Sequence, residues 1–214
     1  MNSDVDKRSW GHTGNMADIS SKDARRAQLL GVALELFGEK GYHATTISDI
    51  IARAKVARGT FYNYFDSKRQ IFATVLDQLF DAVTSSVYPI ELHSELSVQD
   101  QVHDNIARVC VSLRDNTSMA RILFEQAVGL DEEANQQLQD FYNRVLKRLE
   151  RAIGKGQGFG IVRGGDAGIL ATCLLGMIKE SLYQQVLGTR DPDPQALATE
   201  IFNIAARGIL VGMG

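Results

Sequence analysis

Apolar residues recur at three- and four-residue steps along most of this chain, which is the spacing that places side chains on one face of a helix. Over residues 22–39 these positions form a single stripe that ends before Gly41, a typical stop signal for a helix. Alternation of apolar and polar residues, the mark of a half-buried strand, is nowhere of comparable strength. The pattern therefore predicts an all-α fold. The stripe consists of Leu29, Leu30, Ala33, Leu34 and Phe37.

Capping and breaking signals divide the rest of the chain into further helices. Thr46 is suited to an N-cap, and Asp49 can bond back to it as the acid of a capping box. That short helix is predicted to end near Ala54, and Pro89 is predicted to close a longer one. The other predicted helices cover residues 58–64, 67–87, 97–114, 118–128, 131–154, 166–187 and 194–211.

A glycine-rich stretch at residues 154–165 has two interpretations. A phosphate-binding loop would need a G-K-[ST] ending and a preceding strand, and the sequence offers neither here. A flexible connection between two helices is therefore expected. Further on, Asp191-Pro192-Asp193-Pro194 is predicted to break the chain, with Pro194 in the first turn of the last helix.

The segment Thr46–Lys68 reads as two short helices joined by a tight turn at Ala54-Lys55-Val56-Ala57. With the preceding helix it would form a three-helix unit, which is too small to be stable without the longer helix that follows. Its apolar side chains are expected to point inward. These side chains are Ile47, Ile50, Ile51, Val56, Phe61 and Phe65, together with Leu34 and Phe37.

The outward side of the second short helix carries groups that can recognise DNA. Arginine can bond a guanine edge and asparagine an adenine edge, while hydroxyls and open helix amides suit phosphate oxygens. The alternative is that Tyr62 and Tyr64 simply pack against neighbouring helices, in a helix-turn-helix that never meets DNA. The outward set is Arg58, Gly59, Thr60, Tyr62, Asn63 and Tyr64.

Charge is distributed unevenly along the chain. The formal net charge is -3, but residues 22–70 carry nine Lys/Arg against five Asp/Glu, and residues 71–214 carry twelve against eighteen. A basic segment on an acidic body is expected if one end of the protein meets phosphate, although charge runs also occur on solvated faces. The asymmetry favours nucleic-acid binding at the N-terminal end.

Residues 25–76 resemble the tetracycline-repressor (TetR) family of transcriptional regulators. The strongest matches are A-L-E-L-F with the following G-Y pair, the T-T-I cap, and G-T-F-Y-N-Y-F followed by S-K. The resemblance implies a helix-turn-helix domain on a C-terminal helical domain for ligand binding and dimerisation. It implies DNA contacts from Thr46, Ser48, Arg58, Gly59, Thr60, Tyr62, Asn63, Tyr64 and Lys68.

The sequence departs from the family pattern at three positions. Lys55 stands where the turn usually has glycine, so a left-handed backbone there would cost on the order of 1 kcal/mol. Ala57 replaces the usual serine cap, which weakens the start of the recognition helix by about 1 kcal/mol. Ile51 replaces alanine, so the two helices are expected to sit slightly further apart.

The last two helices are expected to form a homodimer seam, because small residues allow close helix approach and apolar residues supply burial. Ordinary packing within one chain is the alternative, and the family resemblance favours the seam. The candidates are Gly168, Ala171, Thr172, Leu175, Gly176 and Lys179 on the first helix and Leu197, Ile201, Ile204, Ala205 and Gly208 on the second.

A pocket for a small-molecule effector is expected among the middle helices, although aromatic and Met residues at helical spacing are also ordinary core. The family resemblance implies a repressor that leaves its operator DNA when the effector binds. The candidate pocket residues are Tyr88, His103, Phe124, Phe141, Tyr142, Met177 and Tyr183, with Arg121, Glu125 and Glu180 as polar anchors.

The division expected from these features is a disordered tail at 1–20, a DNA-binding domain at 21–66 and an effector-binding and dimerisation domain at 67–214. Cys110 and Cys173 are expected to be reduced, buried thiols of a cytoplasmic protein. No metal-ligand spacing, cofactor motif, membrane span or catalytic pairing is recognisable, so an enzyme is not expected. A DNA-binding architectural protein without a ligand is the remaining alternative.

Overall fold

A computed structural model describes residues 16–124, 132–186 and 193–209. Within these ranges the chain forms helices and no β-strand, as the apolar periodicity predicts. The helices are α1 (Met16–Ala44), α2 (Ile47–Ala54), α3 (Arg58–Tyr62), α4 (Lys68–Ser85), α5 (Val98–Arg114), α6 (Thr117–Phe124), α7 (Glu132–Gly158), α8 (Ala167–Val186) and α9 (Pro194–Ile209).

Three predicted boundaries need correction. Residues 16–20 belong to α1 rather than to a disordered tail, while residues 1–15 lie outside the described ranges. Helix α3 ends at Tyr62, two residues before its predicted end. Helix α7 continues to Gly158, and its Gly156 lies at a close contact, since a Cβ there would lie 2.7 Å from Val162 Cγ2. The glycine-rich segment is thus partly helical, and the connection is confined to 159–166.

The junction between α1 and α2 follows the sequence signals closely. Gly41 has φ 83°, so the regular helix breaks there as its stop signal predicts. Thr45 is fully buried, and its hydroxyl contacts the carbonyl oxygens of Leu36 at 3.1 Å and Gly41 at 2.7 Å. These contacts fix the end of α1 at the point where α2 begins.

An aromatic cluster forms the centre of the N-terminal unit. The rings of Phe37 and Phe72 meet edge to face at 5.2 Å, and Tyr42 packs on both of them. Phe61 and Phe65 are buried in the same core with their ring centroids 5.9 Å apart. This core holds α1, α3 and the first half of α4 together.

Helix α4 continues from that core into the rest of the molecule. Its second half contacts α7, where Phe80 and Phe141 meet edge to face at 6.2 Å. Arg144 of α7 pairs with Asp77 and stacks its guanidinium 3.9 Å from the Phe80 ring centroid. One hydrophobic core therefore runs along α4 across the boundary expected at residues 66 and 67.

Helix α6 makes a second connection to the N-terminal unit by packing closely on α1. A Cβ on Gly38 would lie 2.7 Å from the Ser118 Cα atom and 2.9 Å from its carbonyl oxygen. Backbone atoms cannot rotate away from such a contact as a flexible side chain can. The absence of a side chain at Gly38 is therefore what lets the two helices touch.

We expect Gly38→Ala to lower the free energy of unfolding by about 1–3 kcal/mol, because α1 and α6 must move apart to admit the methyl group. Gly31→Ala is the matched control, since a Cβ on Gly31 in the same helix meets nothing within 4 Å. The control should gain about 0.5–1 kcal/mol. Urea unfolding measures both changes, and equal stability of the two variants would contradict the close approach.

Candidate DNA-binding interface

Helix α2 begins with the capping box that the sequence predicts. The Thr46 hydroxyl accepts a hydrogen bond from the Asp49 amide at 3.1 Å, and the Thr46 amide donates to Asp49 Oδ2 at 2.9 Å. These backbone and side-chain bonds hold the pKa of the Asp49 carboxyl below its usual range, with Lys40 Nζ at 3.5 Å acting in the same direction. Thr46 and Ser48 are both exposed at this helix start.

The turn between α2 and α3 confirms the expectation for Lys55. Its backbone is left-handed at φ 53° and ψ 44°, the conformation for which glycine is favoured. The Lys55 amide donates to the Ala52 carbonyl at 3.2 Å, and Gln28 of α1 donates to the Ala54 carbonyl at 3.1 Å. Carbonyl groups in the last turn of α2 thus accept hydrogen bonds next to the strained residue Lys55.

Helix α3 lacks a side-chain cap, as its Ala57 N-cap predicts. It turns Phe61 inward at 0% exposure, and Phe65 beyond its end is buried as well. Tyr62 is 41% exposed, with the Arg58 guanidinium 5.7 Å from its ring centroid. The structure leaves Arg58, Gly59, Tyr62 and Asn63 exposed and Thr60 and Tyr64 half-buried.

Lys68 at the start of α4 has contacts that the sequence does not reveal. Its ammonium donates to the Tyr42 carbonyl at 2.9 Å and lies 4.2 Å from the Tyr42 ring centroid. The His43 carbonyl accepts a further bond at 3.4 Å. Lys68 therefore ties α4 to the end of α1, and its contact with a DNA phosphate remains a prediction.

Two side chains of this unit matter although the sequence patterns did not single them out. Thr45 locks the α1–α2 junction, and Arg53 forms two bonds of 2.9 Å with the Glu39 carboxylate. The adjacent Arg53 guanidinium holds the pKa of Glu39 below its usual range. The role of Thr45 could have been recognised from the Thr45-Thr46 pair. Thr46 caps α2, and the buried neighbour Thr45 bonds the end of α1, so the pair fixes both helices.

The expected pocket residues occupy different surroundings. Phe141 is buried against Phe80, and the Tyr142 hydroxyl donates to the Leu123 carbonyl. His103 bonds the Thr199 hydroxyl at 3.0 Å and stacks on Phe202 of α9. Phe124 and Met177 are half-buried against the core; Tyr88, Arg121, Glu180 and Tyr183 are exposed, and Glu125 lies outside the described residues.

The expected dimer residues divide into buried and exposed groups. Leu197 and Ile201 are only 8% and 2% exposed because α9 packs them into the core of their own chain, so their assignment to a dimer surface is corrected. Ala171 is likewise fully buried. Ile204 is 62% exposed, and Cys173, expected to be buried, is exposed on α8. Thr172, Gly176 and Gly208 are exposed; Gly168, Leu175, Lys179 and Ala205 are half-buried.

Residues outside the predicted sites bear on what this chain contacts. Ile169 of α8 is 63% exposed, and sequence periodicity alone does not distinguish it from core.

In the three described ranges, no group of three or more His, Cys, Asp or Glu is placed to hold a metal ion. No helix there has both the length and the apolar character needed to cross a membrane.

Two short helices, one firmly capped and the other exposing polar and cationic groups, meet at a tight turn on a shared aromatic core. This arrangement is a helix-turn-helix, the motif with which many proteins place a helix in the major groove of DNA. Residues 29–75 match the family model for bacterial regulatory proteins of the tetR family. The N-terminal part of the chain is therefore similar to the TetR family of transcriptional regulators.

Individual relatives are similar to this chain over different shares of its length. The chain is 29% identical over 188 residues to the HTH-type transcriptional regulator YdgC of Bacillus subtilis (strain 168), covering 86% of this chain and 92% of that protein. It is 43% identical over 67 residues to the HTH-type transcriptional repressor KstR2 of Rhodococcus jostii (strain RHA1), covering 29% and 33%. A solved TetR-family regulator from Syntrophomonas wolfei superposes with a TM-score of 0.75 at 27% identity, covering 89% and 98%.

We expect Gly59→Ala to weaken DNA binding about tenfold or more while leaving the fold as stable as before. A Cβ at Gly59 meets nothing within 4 Å in the free protein, so its methyl group would obstruct only a bound groove. Gly31→Ala makes the same chemical change at another open helix position and should leave DNA affinity unchanged. Unchanged affinity in Gly59→Ala, measured by fluorescence anisotropy, would contradict the proposed approach of α3 to DNA.

Proposed function

We propose that this regulator binds a near-palindromic operator as a homodimer, acts as a repressor and leaves the DNA when a small molecule binds its C-terminal helices. The observation that carries the proposal is the outward face of α3, which presents Arg58, Tyr62 and Asn63 beside an open glycine. Its domains are residues 21–66 for DNA and 67–214 for effector binding and dimerisation.

Sequence recognition follows from the chemistry of the α3 face. Arg58 can donate two hydrogen bonds to a guanine edge, and Asn63 can pair with adenine in the major groove. The hydroxyls of Thr46, Ser48, Thr60 and Tyr62, with the open amides at the start of α2, suit phosphate oxygens. Phosphate contacts set the position on DNA, while base contacts select the sequence.

Dimerisation is proposed because one five-residue helix buries too little surface for selective binding. A two-fold dimer places two recognition helices one DNA turn apart, about 34–36 Å. The exposed Ile169 and Ile204 on α8 and α9 supply apolar area for the seam, and Gly176 and Gly208 allow close approach. A second copy of this chain would cover these side chains.

The switch is proposed to work through the helices that bridge the two domains. Helix α4 joins the aromatic core around Phe72 to α7 through Phe80, and α6 touches α1 at Gly38. An effector that prefers one arrangement of α5–α8 would shift both connections and change the separation of the two recognition helices. It must discriminate the two states by a few kcal/mol to act as a switch.

We expect Arg58→Ala and Tyr62→Ala each to weaken binding to DNA from the gene's own upstream region by at least about 1–3 kcal/mol. Both side chains are exposed, and Tyr62 touches the core only through the edge of its ring on Phe61, so thermal melting should change little. Arg148→Ala, which removes an exposed cation from α7, is the control and should bind normally. Titration with excess competitor DNA across a salt series measures all three.

Binding that is weak, steeply dependent on salt and abolished by competitor would contradict selective recognition of this DNA. If fragments selected from a random pool then also share no sequence, the protein is a DNA-binding architectural protein that lacks an operator. Equal operator affinity with and without the true effector would contradict the proposed release.

We expect Ile169→Glu or Ile204→Glu to shift the protein toward a monomer and to weaken operator binding at the same time. A carboxylate in an apolar seam must be desolvated without a partner. Leu92→Glu alters a side chain of similar exposure, 48%, outside α8 and α9, and should leave the dimer intact. Analytical ultracentrifugation measures the oligomeric state. If both seam variants still formed dimers with unchanged self-association, the interface would lie elsewhere.

A further inference from the structure

Helix α5 carries a stripe of half-buried polar residues on one side. Gln101, Asn105, Arg108 and Ser112 follow one another at steps of three and four residues, so they share a helix face. His103 lies on a different face, where it contacts α9 through Thr199 and Phe202. The stripe therefore belongs to a side of α5 that is not used for packing on α9.

The first half of the stripe holds the segment between α4 and α5. Asn105 accepts from the Tyr88 amide at 2.8 Å and donates to the Tyr88 carbonyl at 2.9 Å. Gln101 accepts from the Glu91 amide at 2.8 Å and donates to the carbonyls of Glu91 and Leu96 at 3.0 Å each. Two amide side chains thus fix the backbone of this segment at several points.

Arg108, one turn further along, has no comparable polar partner among the residues that the structure describes. Its guanidinium carbon lies 4.3 Å from the centroid of the Tyr88 ring, and its Nε atom is buried without a hydrogen bond to a described residue. The ion pairs among the described residues involve other cations, such as Arg53 with Glu39 and Arg144 with Asp77. The stripe therefore contains a positive group with an unsatisfied, buried donor.

Burial of the Arg108 Nε atom makes such a donor costly. A buried donor without an acceptor destabilises the fold unless a partner arrives. A fold that keeps the arginine there, while Asn105 fixes the Tyr88 backbone beside it, is prepared for an acceptor from outside the chain.

We infer that Arg108 and the Tyr88 ring form the anion-binding end of the effector site, and that the effector is an amphipathic small molecule with a carboxylate or phosphate head. A planar guanidinium suits either head because it donates two parallel hydrogen bonds. Val87 and Ile90, which lie close to Tyr88 along the chain, have exposed apolar side chains that can receive the ligand's apolar body. This inference rests on the proposed function and names the chemical class of its effector.

The test compares four ligands that share one ten-carbon chain: decanoate, decyl phosphate, decanol and decylamine. Calorimetric titration of the full-length protein should show at least one of the two anions binding about tenfold or more tighter than decanol. Arg108→Gln should reduce that preference to less than about twofold while decanol still binds, and Arg108→Lys should restore part of it. Whichever anion binds tighter distinguishes a carboxylate effector from a phosphate one.

Arg148→Gln is the matched control, because it removes an exposed arginine on α7 and should keep the full preference. Without ligand, Arg108→Gln should melt within about 2 °C of the unaltered protein, because no protein hydrogen bond to Nε is lost. A larger drop would make Arg108 a structural residue and overturn the inference. The inference would also be overturned if both glutamine variants lost the anion preference equally, or if the unaltered protein showed no such preference. It would be overturned as well if none of the four ligands bound saturably.

The same samples separate failure of this inference from failure of the proposed function. DNA binding without ligand should be identical in Arg108→Gln and the unaltered protein, since Arg108 lies outside the helix-turn-helix. Selective DNA binding without an anion preference would overturn the role of Arg108 alone. An anion preference without selective DNA binding would contradict the proposed operator function and leave the anion site standing.

Discussion

Burial of Phe61 and Phe65 is the interaction on which the recognition surface depends. Helix α3 has five residues and no side-chain cap, and a helix this short does not persist in water without tertiary contacts. The two aromatic side chains supply those contacts, and they also set the direction in which Arg58, Tyr62 and Asn63 point. The outward groups are therefore held by the core before any DNA arrives, which reduces the entropy lost on binding.

The same core extends along α4, so this helix connects the C-terminal helices to the helices that carry the recognition surface. Phe72 belongs to the aromatic cluster under α3, and Phe80 on the same helix contacts α7. The segment that follows α4 is fixed to α5 by Asn105, next to Arg108. An anion held at Arg108 would thus act at the far end of the helix whose other end supports the DNA-binding unit.

Local sequence signals predicted the helix-turn-helix well, because each of its features depends on neighbouring residues. The break at Gly41, the capping box of Thr46 and Asp49 and the left-handed Lys55 were all confirmed. Features that depend on distant partners were not predictable in this way. Leu197 and Ile201 have the apolar spacing of a seam, yet they pack within their own chain, and nothing in the sequence shows that Arg108 lacks a partner.

The most direct test of this account is selection of bound fragments from a random DNA pool by the full-length protein, followed by sequencing. Two recognition helices related by a two-fold axis should select an inverted repeat with half-sites whose centres lie about one DNA turn apart, or a multiple of it. That result would establish the chain as a dimeric, sequence-specific regulator. Selected fragments with no shared sequence, or with a single half-site, would contradict the account at its centre.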